Sequence, residues 1–100
     1  MSESKKYRPR KPAGLDGSGL KFWNKVIEDF DLDHHEVELL AQLCKTLNRI
    51  DELDKIADRE GLIIESPHGK KAHPAAVESR QMRMVFNQLA KTLRFPGVDV

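Results

Sequence analysis

The chain has one cysteine, Cys44, so no disulfide can form within it; that fits a reducing compartment. No stretch approaches the ~20 consecutive apolar residues that cross a bilayer. The basic N-terminus lacks the apolar segment that makes a signal peptide. A cytosolic protein with no membrane contact is therefore expected. There is no glycine-rich loop of the kind that cradles nucleotide phosphates, which argues against ATP binding. The carboxylates are spread along helical faces, whereas a nuclease gathers them around Mg²⁺. His34-His35 and the pair His68 and His73 lack the cysteine or carboxylate partners that complete a zinc site. No catalytic residue, no metal and no cofactor are expected, and the chain does not read as an enzyme.

Excess charge of one sign is also absent overall, because the formal net charge is only +1. Its distribution says more. Residues 1–14 (MSESKKYRPRKPAG) hold Lys5, Lys6, Arg8, Arg10 and Lys11 against Glu3 alone, leaving +4, while the remaining residues sum to −3. Two prolines, a glycine and a single aromatic, Tyr7, leave this segment too little apolar surface to offset its ordering entropy. A disordered basic arm over 1–14 and one helical domain over 15–100 are the expected organisation. At 100 residues the chain is one domain, and a monomer of this size has a thin stability margin.

Periodicity is what the sequence has in quantity. Leu20, Trp23, Val26, Ile27 and Phe30 recur at helical spacing, with Asp16 and Ser18 placed to cap a first helix. Phe22 lies off that stripe. Asp33 and Glu36 form a capping-box-like pair, which starts a second helix near His34. No proline or glycine interrupts it before Gly61, so it spans about 40 Å. Its apolar positions include Leu39, Leu40, Leu43, Cys44, Leu47, Ile50 and Leu53. That stripe is too wide for a single neighbour and suggests contact with two, one of them another subunit. Leu62-Ile63-Ile64-Glu65, the turn Ser66-Pro67-His68-Gly69 and the returning Lys71-Ala72-His73 spell a small β-hairpin. Such a hairpin is marginal alone in water and needs helices or a neighbouring chain to cover it. Pro74 suits the first turn of a third helix, whose stripe reads Val77, Met82, Val85, Phe86, Leu89 and Leu93. Trp23, Phe30, Met82 and Phe86 are expected in the core.

Read in order, these residues resemble the phage terminase small-subunit family, in the branch with a helical core and a hairpin before the last helix. The resemblance covers roughly residues 15–100. It rests on Leu20-Lys21-Phe22-Trp23, the aspartate-capped second helix, Arg49-Ile50-Asp51-Glu52-Leu53, Gly61-Leu62-Ile63-Ile64, Gly69-Lys70-Lys71 and His73-Pro74-Ala75. Members of that family often carry asparagine where His73 stands. The resemblance implies a mainly α protein that assembles as a homo-oligomeric ring in the host cytoplasm. It also implies a non-catalytic subunit that binds viral double-stranded DNA and recruits the large terminase subunit, which supplies the ATPase and nuclease.

Two groups of cations are candidates for DNA contact. Lys5, Lys6, Arg8, Arg10 and Lys11 of the arm would neutralise phosphates and release counterions; the alternative is a solvated, solubilising terminus. Lys70 and Lys71 of the hairpin, with Arg80 and Arg83 of the third helix, form the second group. These charges equally suit pairing with the acidic run Glu28, Asp29, Asp31, Asp33, Glu36 and Glu38, in the same or a neighbouring subunit. Phe22, Leu39, Leu43 and Ile50 are the expected assembly residues. The competing reading is a helical protein–protein adaptor without a nucleic-acid ligand, its arm a solubility tail and its wide stripe docking a partner helix.

Overall fold

The computed structural model describes residues 9–93, and the side chains of 9–92. Lys5, Lys6 and Arg8 lie outside the described residues. The order is α1 (Gly17–Asp29), α2 (His34–Glu60), β1 (Ile63–Ser66), β2 (Gly69–Ala72) and α3 (Pro74–Leu93). Helix α2 is the centre of the fold, with α1 and α3 packed against it.

The ends of α2 are where local chemistry puts them. Glu36 N–H donates to Asp33 Oδ1 at 2.8 Å, and Asp33 N–H donates to Glu36 Oε1 at 2.9 Å, a reciprocal capping box. At the other end Gly61 takes φ +94° while its N–H still reaches the Ala57 carbonyl at 2.7 Å. Only glycine adopts that backbone without strain, so the helix stops there.

Helix α1 departs from expectation at its start. Asp16 stands at the N-cap position but makes no side-chain capping bond. The cap comes instead from α2: the backbone N–H and the hydroxyl of Ser18 both donate to the Asp51 carboxylate, each at 2.9 Å. A carboxylate 33 residues away thus satisfies one of the first-turn N–H groups of α1, that of Ser18, and ties the two helices together. Asp51→Ala is expected to lower stability by about 1–2 kcal/mol, read as a lower urea midpoint at unchanged slope. Asp16→Ala is expected to stay within about 0.5 kcal/mol. The reverse order would return the cap to Asp16. One turn on, Gly19 is buried, and a Cβ built on it would overlap Asn48 Oδ1 and the Cys44 carbonyl oxygen. A side chain at this position would force α1 and α2 apart.

Trp23 and Val26 of α1, Leu40, Leu43, Cys44, Leu47 and Ile50 of α2, and Phe86 and Ala90 of α3 make one core. Phe30 and Met82 pack at its margin as half-buried residues. The wide stripe of α2 therefore has its two neighbours within the chain. Leu43 and Ile50, each 1% exposed, are enclosed by the protomer itself, whereas Leu39 is 43% exposed. Phe22 meets Phe86 edge-on, ring centroids 5.5 Å apart, a favourable aromatic geometry. It is a half-buried core residue here.

Helix α3 is rotated from the orientation its apolar stripe suggests. Ala75, Ser79, Phe86 and Ala90 face α2, while Val85 (54%) and Leu89 (43%) are exposed. Two polar contacts fix this rotation, since Ser79 Oγ and the Arg83 guanidinium both donate to the Asp54 carboxylate of α2. Small residues line the contact, so α3 can lie close to α2 and bring Phe86 fully inside.

The hairpin pairs antiparallel in the register Ile63↔Ala72, Ile64↔Lys71, Glu65↔Lys70 and Ser66↔Gly69. His73 N–H donates to the Leu62 carbonyl at 2.8 Å and prolongs the pairing. The helices cover little of it: Leu62 and Ile63 are each 59% exposed, and all of β2 is exposed.

Candidate nucleic-acid interface

His73 joins the hairpin to the helices. It is buried, its Nδ1 accepts the Ala75 N–H at 3.0 Å, and its Nε2 meets Glu60 Oε1 at 2.7 Å. With Nδ1 accepting, the proton sits on Nε2 and is donated to Glu60. The side chain thus caps α3 while holding the last turn of α2, and Glu60 is pulled below its ordinary carboxylate range chiefly by this hydrogen bond. Asparagine, a strong capping residue, would serve the first of these contacts; the imidazole serves both. That places His73 among structural groups rather than among metal ligands. His68, its sequence partner, is exposed at the turn. Among the described residues no three His, Cys, Asp or Glu side chains gather where a metal ion could be held. Cys44 is buried, and burial pushes its thiol up to about 12. Such a thiol is protonated at neutral pH and is no nucleophile.

The cations sort by position. Lys70 and Lys71 lie on β2, at the exposed end of the hairpin, on opposite faces of the ribbon. Lys70 stands across the ladder from Glu65. Arg80 is exposed on α3, while Arg83, one turn on, is half-buried and paired with Asp54. The Arg83 charge thus finds its carboxylate on α2, outside the acidic run 28–38. It acts first as a tie between helices, and any phosphate contact must compete with that pair. Arg10 and Lys11 are exposed. They lead into residues 13–15, where Asn48 Nδ2 donates to the Gly14 carbonyl at 3.0 Å and fixes the root of the arm to the middle of α2.

The hairpin lysines, Arg80, Arg10 and Lys11 are all exposed. They form an open surface, which suits a polyanion bound along its length better than a small anion enclosed on all sides. Two further cations, Lys45 and Arg49 of α2, are not among the sequence candidates for DNA contact, Arg49 entering only within the segment Arg49-Ile50-Asp51-Glu52-Leu53. They lie one helical turn apart beside the arm root, and only their i, i+4 spacing hints at a shared face. No helix among the described residues is long and apolar enough to cross a membrane.

An exposed apolar strip completes the surface. Leu39 of α2 and Leu89 of α3 are both 43% exposed, and with Gln42, Leu43 and Thr92 they line an apolar cavity of about 70 Å³. Val85 continues the strip one turn back along α3.

In comparison with known proteins, the family model described as "Phage terminase, small subunit" matches residues 19–96. No curated protein and no solved structure matches the chain.

Proposed function

The chain belongs to the phage terminase small-subunit family, and on that premise we propose that it is a non-catalytic, homo-oligomeric adaptor for genome packaging. In this reading it binds viral double-stranded DNA and brings the large terminase subunit, with its ATPase and nuclease, to that DNA in the host cytoplasm. The observation that carries the reading is the family match over most of the folded core. The distribution of polar groups supports it. Apolar side chains fill the interior, the one thiol is sealed, and Lys70, Lys71, Arg80, Arg10 and Lys11, which make no ion pair among the described residues, are exposed. Surface cations are what binding to a phosphate backbone requires, because affinity then comes from counterion release without a concave site. Among the exposed apolar side chains, which also include Leu62, Ile63 and Met84, we assign assembly to the helical strip Leu39, Val85 and Leu89 in place of the enclosed Leu43 and Ile50.

Titration of a fluorescent duplex at several salt concentrations tests the reading. Binding should weaken steeply as salt rises, with a linear dependence of log K on log salt. Removing residues 1–14 should weaken binding and flatten that slope, since five cations leave with the arm. Full-length protein that fails to bind any duplex at low salt would favour the protein–protein adaptor.

A further inference from the structure

We propose that Lys45 and Arg49 of α2, together with Arg10 and Lys11 at the root of the arm, form a phosphate-binding ridge for the DNA backbone. This inference rests on the reading of the chain as a DNA-binding subunit, and it places a contact on a face that neither the hairpin nor α3 occupies.

Three observations carry it. Lys45 and Arg49 are exposed and one helical turn apart, and among the described residues no ion pair engages either of them. Both line a cleft of about 470 Å³ between α2 and residues 13–15, and both also line a second hollow of about 290 Å³ on the Met82 side. They therefore stand on a crest between two depressions, accessible from either side. Among the described residues the one acid lining the first cleft is Glu52, whose carboxylate is met by Lys55 at 3.5 Å. Lys45 and Arg49 thus outnumber the single carboxylate of this cleft.

The third observation explains why the arm belongs to the same site. The hydrogen bond from Asn48 Nδ2 to the Gly14 carbonyl lies between Lys45 and Arg49 in sequence, on the same helix. It fixes where the chain leaves the folded domain. Lys11 and Arg10 are three and four residues upstream of that anchor, within a reach of about 14 Å of it along the chain. Cations tethered at an arbitrary exit point would contribute only diffuse attraction. Arg10 and Lys11, held close to an anchor beside Lys45 and Arg49, add to a track along which successive phosphates of one strand can be neutralised. Lys45 supplies a compact, rotatable charge, and Arg49 a planar fork suited to phosphate oxygens.

The test compares three forms of the full chain in the duplex titration: wild type, Lys45→Ala/Arg49→Ala, and Lys21→Ala/Lys25→Ala. The last removes the same charge from exposed positions of α1 outside the cleft. All four positions are exposed and helical, and thermal melts verify that each variant folds. The ridge variant should flatten the slope of log K against log salt by about 2 per engaged protomer. It should weaken binding to duplexes of unrelated sequence equally, and the α1 variant should match wild type. Wild-type binding with an unaltered slope in the ridge variant overturns the ridge and leaves DNA binding standing. Equal loss in both variants overturns it too, because net charge alone would then account for the effect. A wild-type protein that binds no duplex removes the ridge along with the functional reading beneath it.

Discussion

Phe86→Ala is expected to be the most damaging single truncation in this chain, costing about 3–5 kcal/mol of stability. The side chain is fully enclosed, the largest among the wholly buried residues, and its ring meets Phe22 edge-on. Removing it opens a cavity in the core and deletes the edge-on ring contact with Phe22. A domain of this size has only about 5–15 kcal/mol in total, so the variant should melt far below wild type or fail to accumulate folded. The comparison that gives the result meaning is Val85→Ala, one residue earlier. Val85 is 54% exposed, and its truncation should stay within about 0.5 kcal/mol in the protomer. Comparable losses at the two positions would mean that α3 is turned about its axis from the orientation described, with Val85 inside.

The second large effect concerns assembly. Leu39→Asp combined with Leu89→Asp should reduce any multi-subunit species to protomers of 11.4 kDa without unfolding them. Both side chains are already 43% exposed, so a carboxylate at either position remains hydrated in the free protomer. At an interface it would be buried without a partner, a penalty of several kcal/mol. Two such charges in each copy, on opposite walls of one small apolar cavity, are more than a contact of ordinary size withstands. Circular dichroism should report unchanged helix while the mass falls. An unchanged mass would place the subunit contact elsewhere, the exposed Leu62 and Ile63 of the hairpin being the next apolar surface.

The sequence makes some elements legible and hides others, for reasons that lie in particular residues. Helix α2 is readable end to end because both stops are local: the Asp33–Glu36 pair opens it and Gly61 closes it. The hairpin is readable because Pro67 and Gly69 mark a turn between two short extended runs, and Pro74 restarts a helix. The facing of α3 is not readable from apolarity. Val77, Met82, Val85, Phe86 and Leu89 suggest one stripe, but of these only Phe86 is fully buried, and Ala75, Ser79 and Ala90, which carry little apolar signal, are buried with it. Asp54 then fixes the rotation by accepting from Ser79 and Arg83, a polar arrangement with no local signature. The same holds for Asp51, which caps a helix from 33 residues away. Of the candidate interface, the cations themselves are plain in the sequence. Their grouping is not, because it depends on where Asn48 anchors the arm and on which lysines and arginines find partners inside the fold.

The central claim is that this small helical unit works as an assembly of copies on DNA. Its mass in solution, by light scattering on a sizing column over a range of concentrations, tests that claim most directly. A discrete multiple of the 11.4 kDa protomer, stable on dilution, is the predicted result, as closed symmetric assemblies give. A protomer mass at every concentration would contradict it.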